Sequence, residues 1–459
     1  MNPEIIRNHA LTSKTAVRFL DHSVTQGRCL DQLELLDETL PAFLRDYPYP
    51  LNSWPWFVGS EMQQTLRDCV CRVPELVYRA IRAEFANDRQ GLAAFYRIPP
   101  MLADIFMESG VDMRQLMLRV DAMLTSRGLK ILEINTGPDI GGWQIQWLDR
   151  QYRKQAALAS FFETVDCHSR NIPKEYMKHL IVQGKSYPAA ANGRVNILIV
   201  VGKESFELGM SAPLVPLFRE ALDECGVDGE ILIERDLANV RFDRSGVHAH
   251  GRRICTVVPF HRGSSFELPL ELYRASLGGT VYWPGNPLVP VIGDKRSLAI
   301  AQKHKDSKLF NDEERDLIER FVPWSVPVAQ QTVRFDGVDS DLRELLLARR
   351  EDFVVKAAQG SSGTDVYVGK FQTDPGWCEV VGRAFSEGTW LAQEYCASLP
   401  FYGQSGPGGY AVHDVIWGLF GFGGGYGGCW LRLMLKDKGN GVINSAMGAT
   451  ETIVYEVSE

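Results

Sequence analysis

One short stretch of the sequence gathers acid, amide and guanidinium groups at strand spacing. In QLMLRVDAMLTSRGLKILEIN, Arg119 and Asp121 lie two residues apart on one apolar-rich run, and Glu133 and Asn135 lie two apart on the next. A spacing of two along a β-strand sends both members of a pair to the same face. The join at Thr125–Gly128 predicts a β-hairpin. With Ser126, Arg127 and Gly128 as a three-residue loop, and Gly128 supplying the positive φ, Asp121 falls opposite Glu133 and Arg119 opposite Asn135. Two opposed carboxylates repel and raise each other's pKa unless a cation lies between them. An oxygen-only ligand set favours Mg²⁺, which commonly keeps phosphate and water ligands as well. Asp121, Glu133 and Asn135 are therefore candidate metal ligands, and the set asks for a magnesium nucleotide. The competing reading is the solvated face of a half-buried sheet. The sequel TGPDIGGW reads as a loop that closes on a ligand.

Two lysines offer the matching positive charge. Lys356 follows FVV in DFVVKAAQGSSGTDVYVG, so its ammonium leaves a strand among apolar neighbours and must meet an anion or water. Past Gln359 come Gly360, Ser361, Ser362 and Gly363, a loop of little bulk whose amides and hydroxyls can fold over phosphates. An exposed flexible hairpin has the same pattern. Lys295, in VIGDKRSLAIAQ, stands where a Pro- and Gly-rich stretch becomes a helix, with Asp294 as the expected N-cap. That setting brings a cation and a helix N-terminus to one anion; a solvated first-turn lysine is the plain alternative. In WLAQEYC, Gln393, Glu394 and Tyr395 can supply backbone contacts to an adenine and a carboxylate to a ribose hydroxyl, unless the run is an ordinary edge strand.

The elements that must position these groups follow from periodicity. The first 190 residues read largely as helix, in RCLDQLELLDETLPAFL and TLRDCVCRVPELVYRAIRAEFA, interrupted by the hairpin. From Gly193, VNILIVV, LVPLFREALDECG, ILIERDL and RRICTVVPF read as strand, helix, strand, strand, a small α/β unit. Pro and Gly in TVYWPGNPLVPVIGDK mark a boundary near residue 290, after which short strands alternate with Gly- and Ser-rich loops. The expected division is 1–114 helical, 115–190 with the acidic hairpin, 191–290 the small α/β unit, and 291–459 the lid and nucleotide region.

Composition narrows the classes. A net charge of −8 over 459 residues excludes a broadly basic nucleic-acid-coating protein, and 45% apolar residues are ample for a packed core. No run reaches the roughly 20 apolar residues of a membrane helix, and charges are scattered through the N-terminus, so a soluble cytoplasmic protein is expected. Nine cysteines with no CxxC pair read as reduced, mostly buried thiols. The GxGxxG at Gly423, Gly425 and Gly428 is followed by a strand-like CWLRLML, so it is no dinucleotide fingerprint; a P-loop and a GxSxG elbow are absent. His248 and His250 read as exposed imidazoles. YPYPLNSWPWF can line a pocket for an aromatic or apolar acceptor or simply fill core.

The stretch RVDAMLTSRGLKILEINTGPDIGG resembles the signature of eukaryotic-type glutathione synthetases, and glutathionylspermidine synthetases carry a similar Asp, Glu, Asn set. Both belong to the circularly permuted ATP-grasp ligases, whose acidic motif precedes the phosphate lysines, as Glu133 and Asn135 precede Lys295 and Lys356 here. The likeness extends through NILIVVGKES, VVPFHRGSSFEL, GDKRSLA, FVVKAAQGSSG, WLAQEYC and LRLMLKDKGNGVINSAMGATE, over approximately residues 115 to 455. It implies an α/β (α+β) fold, a circularly permuted ATP-grasp with a Rossmann-like substrate-side subdomain and an N-terminal helical region. It also implies that Asp121, Glu133 and Asn135 hold Mg²⁺, that Lys295, Lys356 and the 360–363 loop hold ATP phosphates, and that Gln393 and Glu394 meet adenine and ribose. Arg119 would stabilise charge at the reacting carboxylate; Arg262 and Arg432 would grip substrate carboxylates, with Asn444 nearby. The chain departs from glutathione synthetases where they read KPQREGGG, having KAAQGSSG, so Gln359 replaces a metal-binding glutamate and glutathione is not the expected product.

The activity so implied is an ATP-dependent carboxylate–amine ligase making a small peptide-like metabolite through an acyl phosphate. Its partners would be a small-molecule carboxylate and an amine, with a homodimer possible and neither nucleic acid nor membrane involved. The alternatives are a small-molecule kinase of the same fold and a nucleotide-binding regulatory protein without turnover.

Overall fold

A computed structural model describes the chain apart from residues 26–29, 31, 46, 208, 210, 261–267, 361–362, 407–408 and 437. It is a mixed α/β protein. Strand β1 (Trp56–Val58) precedes helix Ser60–Glu84; the hairpin strands are β2 (Met117–Thr125) and β3 (Gly128–Thr136), and β4 (Cys167–Ser169) follows. Next come β5 (Arg194–Val200) and β6 (Asp228–Glu234), a ribbon of β7 (Val240–Asp243), β8 (Gly246–Ala249) and β9 (Arg252–Ile254), and β10 (Thr256–Pro259). The third group is β11 (Ser325–Pro327), the pair β12 (Thr332–Phe335) and β13 (Val338–Asp341), then β14 (Phe353–Ala357), β15 (Val366–Val368) and β16 (Trp390–Glu394). The last strands are β17 (Phe401–Gln404), β18 (Tyr410–Phe422), β19 (Gly425–Leu435) and β20 (Thr450–Val457).

The main sheet runs β1-β20-β19-β18-β2-β3, with β17 also on β18 and β4 on β20. It is mixed, because β1 pairs parallel with β20 while its other ladders are antiparallel. Helix Ser60–Glu84 buries Leu66, Cys69, Val70, Val73, Leu76, Val77, Ala80 and Ile81 at three- and four-residue spacing, and packs on β18 and β19. Strands β10-β5-β6 form a parallel sheet whose β5 side chains are buried on both faces, as parallel strands require. Strands β11-β16-β14-β15 form a separate antiparallel sheet over its own core, including Leu346, Phe353, Val355, Trp377 and Trp390. No helix among the described residues is long and apolar enough to cross a membrane.

Three local expectations need correction. Among the described residues of RCLDQLELLDETLPAFL, helix is confined to the end of the run, where the short helix Ala42–Arg45 begins. Leu33, Leu35 and Asp37 alternate half-buried with exposed neighbours, the period of an extended strap, and Pro41 breaks any helix entering that last turn. The hairpin turn is shorter than expected: Thr125 pairs with Gly128 (φ 88°), leaving Ser126 and Arg127 between the strands. The register then shifts between Asp121 and Ala122, with Leu132 as the extra residue, and this bulge places Asp121 opposite Glu133 and Arg119 opposite Asn135. Strand β16, which could have been an edge, lies between β11 and β14.

Of the cysteines, eight are described and free; Cys69, Cys255, Cys396 and Cys429 are buried and Cys378 is exposed. The glycine run ends β18 and opens β19 at a turn through Gly423 (φ 61°) and Gly424 (φ 79°), between two strands.

Candidate functional site

One face of the main sheet carries a row of polar side chains across its strands. In register, Asp121 on β2 pairs with Glu133 on β3 and with Gly418 on β18, and Gly418 pairs with Trp430 on β19. Two residues along β19, Arg432 pairs with Glu451 on β20. The period of two puts Arg119, Asp121, Glu133, Asn135, Trp430, Arg432 and Glu451 on the same side.

Asp121 is the electrostatic hub of this row. Arg119 donates from Nε to its Oδ1 at 2.6 Å and from Nη2 to its Oδ2 at 2.9 Å. Arg432 Nη2 donates to Oδ2 at 2.8 Å, and Asn135 Nδ2 reaches the same oxygen at 3.3 Å. Burial alone would raise the Asp121 carboxyl, but the Arg119 and Arg432 guanidiniums outweigh it and hold it well below the usual carboxylate range. Arg119 Nη1 also donates to the Gly141 carbonyl at 2.6 Å, so the loop after β3 is tied to the sheet. Both guanidiniums lie over the Trp430 indole, at 5.7 Å and 5.2 Å from its centroid. The indole has room because Gly418 and Gly142 flank it: a Cβ on either would overlap its ring.

Glu133 meets the lysines. Lys295, at the start of helix Arg296–His304, places Nζ 3.3 Å from Glu133 Oε2 and donates to the Gly360 carbonyl at 3.2 Å. Asp294 accepts from the Arg296 backbone N–H at 2.9 Å and pairs bidentately with the same guanidinium, so it caps the helix and leaves Lys295 to the site. Lys356 on β14 is buried; its Nζ donates to the Leu132 carbonyl at 2.7 Å and to Gln393 Oε1 at 2.8 Å. Burial lowers its pKa to about 8, with Glu133 opposing and Lys295 adding to the shift.

Three cavities meet at Glu133. The first, about 100 Å³, has walls of Leu132, Val354, Val366, Val368, Ile416 and Ile443, with Lys356, Glu394 and Tyr395 at its polar side. The second, about 470 Å³, is bounded by Lys295, Gln359, Gly360, Asn135 and Arg119. The third, about 460 Å³, holds Arg119, Asn135, Arg432, Asn444 and Glu451 beneath Phe43, Tyr47, Tyr49, Trp143 and Phe260. The strand pair β14–β15 packs down toward the sheet: a Cβ on Gly363 would stand 2.8 Å from Val442 Cγ1, and one on Gly441 would overlap Phe371.

The structure thus brings together Arg119, Asp121, Glu133, Asn135, Lys295, Lys356, Gln359, Gly360, Gly363, Gln393, Glu394, Tyr395, Arg432 and Asn444 around adjoining cavities. Arg262, Ser361 and Ser362 lie outside the described residues. Gln393 turns its amide to Lys356 and to Ser325 Oγ rather than into the cavity. Among the described residues no group of three or more His, Cys, Asp or Glu side chains converges, so a cation here would have to draw on Asn135 and on oxygens from outside the protein. Tyr47 and Tyr49 of YPYP line the third cavity, whereas Trp54 and Trp56 are core. Sequence reasoning missed Trp430 and Glu451; the available signal was strand alternation, a single charged residue recurring on one face of CWLRLML and of TETIVYEV.

No protein-family model matches the chain, and no curated protein matches it. Among solved structures, one named "Putative gamma-glutamylcysteine synthetase", from Methylobacillus flagellatus KT, is similar at 12% identity and a TM-score of 0.39, over 83% of this chain and 87% of that one. That distance assigns neither fold nor function to the chain.

Proposed function

We propose that the protein is an ATP-dependent ligase that joins a carboxylate to an amine, built as a circularly permuted ATP-grasp. The observation that carries this reading is the meeting of three cavities at Glu133, with the ammonium of Lys295 3.3 Å from its carboxylate and Lys356 in the adjoining apolar cavity. The small apolar cavity beside Glu394 and Tyr395 suits an adenine, and the Lys295, Gln359 and Gly360 corner suits phosphates.

The donor set fits Mg²⁺. The Glu133 side chain keeps 28% of its surface, and Asn135 spends its Nδ2 on Asp121 and Glu133, which leaves its amide oxygen for a cation. Sequence spacing assigns Asp121 to the metal as well, but its oxygens are engaged by two guanidiniums, so in this reading it positions Arg119 and Arg432. A magnesium ion bound there would screen the charge of the triphosphate.

A carboxylate does not react with an amine because oxide is too poor a leaving group. Transfer of the γ-phosphoryl from ATP to a carboxylate oxygen gives an acyl phosphate and ADP; attack by the amine nitrogen on the acyl carbon then expels inorganic phosphate and leaves the amide. Arg119 and Arg432 grip the carboxylate, and Lys295 and Lys356 hold the phosphates.

The test is ADP and phosphate formation from magnesium ATP across a panel of carboxylic acids and amines. Glu133→Gln should abolish substrate-dependent ADP release with the fold intact; unchanged turnover overturns the assignment. Gln359 beside Lys295, in place of a carboxylate, favours one other reading, a nucleotide-binding protein without turnover. ATP bound with no ADP formed by any pair would select that reading, and a phosphorylated acid released without amine would select a kinase.

A further inference from the structure

Glu451 is a buried acid that lines the third cavity, the one beneath Phe43 and Tyr47, with 1% of its surface exposed. Its register partner Arg432 gives its guanidinium to Asp121, and among the described residues no lysine, arginine or histidine forms an ion pair with Glu451 within 4.0 Å. The Tyr47 hydroxyl donates to Glu451 Oε2 at 2.7 Å. Burial pushes the Glu451 carboxyl up from its ordinary value, outweighing the Tyr47 hydrogen bond and the nearby charges of Arg432 and Arg119. A cation in direct contact with Glu451 can be supplied from the cavity that this acid lines.

We propose that Glu451 and Tyr47 form a recognition site for a cationic nitrogen, and that the substrate filling this third cavity carries an ammonium group on an apolar or aromatic body. Calling that molecule a substrate rests on the ligase reading above. The walls suit such a body: Phe43, Tyr49, Trp143 and Phe260 present rings that bury apolar surface and attract cations. An anion is placed elsewhere by charge: the guanidiniums of Arg119 and Arg432 lie at the Asp121 side of the same cavity, whereas an anion at Glu451 would face a buried acid. Tyr47 reaches the site from the strap before β1, which is anchored where Lys154 and Gln151 Nε2 donate to Asp37, the latter at 3.0 Å.

Titration calorimetry of the full chain with phenethylamine hydrochloride tests the site, with phenethyl alcohol as the neutral control. The ammonium should bind roughly tenfold or more tightly than the alcohol, the difference a charge-assisted contact makes. Glu451→Gln should remove that preference and Glu451→Asp should retain it. Equal affinity of the two compounds for the wild type, no saturable binding of the ammonium, or an undiminished preference in Glu451→Gln overturns the proposal; the wild-type comparison stands even if a variant fails to fold. Magnesium ATP binding is measured on the same preparations. Loss of the amine preference with nucleotide bound sinks this site alone, while failure to bind nucleotide sinks the ligase reading.

Discussion

The carbonyl oxygen of Leu132 accepts a hydrogen bond from the Lys356 ammonium at 2.7 Å. Leu132 is the bulged residue of the β2–β3 hairpin, outside the pairing of its neighbours, so its carbonyl is released to a side chain from another sheet. The same bulge aligns Asp121 with Glu133, so one extra residue both sets the acidic pair and docks the lysine strand onto it.

Lys356 should therefore titrate near pH 8 in the free protein and well above it with magnesium ATP bound, because phosphates favour the charged form. ATP affinity should fall as pH rises through about 8, and Lys356→Met should flatten that profile. The unfolded chain holds this proton more tightly than the folded one, so the group's contribution makes stability rise with pH between about 8 and the ordinary value of 10.5. Lysine side-chain NMR and calorimetric ATP titrations at several pH values check each part.

Asp121→Asn should destabilise the protein by about 3–5 kcal/mol, since it removes the anion from a buried pair of guanidiniums. The wild-type carboxyl stays ionised to low pH, so its contribution is present above about pH 4 and lost as pH falls below that. Urea unfolding from neutral to acidic pH should show a difference between wild type and variant that shrinks on acidification. In the ligase reading, the Mg²⁺ dependence of ATP binding should weaken in Glu133→Gln and not in Asp121→Asn.

Gly418→Ala should cost about 1–3 kcal/mol and change the indole environment, because the added Cβ overlaps Trp430 and the backbone of a central strand cannot yield. Thermal unfolding reads the cost. Fluorescence of the Trp430→Phe variant, with and without Gly418→Ala, isolates the indole concerned.

The acidic hairpin was legible because strand period and turn chemistry are local properties, written in residues 117–136. The pairing of Asp121 with Glu133 was legible as well, though not its cause: it arises from the bulge at Leu132, and a two-residue turn with a bulge gives the same alignment as a three-residue loop. The strap before β1 misled by composition, since leucines at 33, 35 and 36 satisfy a helical count while their burial alternates. Glu451 and Trp430 escaped because their roles depend on which strands become neighbours. Nothing near Glu451 in the sequence announces that β20 will lie beside β19 or that Tyr47 will reach it.

The sheet order also dictates when the protein becomes competent. Strands β2 and β3 leave the ribosome roughly 300 residues before β18, which must pair with β2, and β19 and β20 follow later still. Until those strands emerge the hairpin has an open edge and its arginine Arg119 has no indole to lie on. The nascent chain therefore passes through a long interval in which an unpaired strand needs shielding, and production of the protein should depend on chaperones more than its final burial suggests.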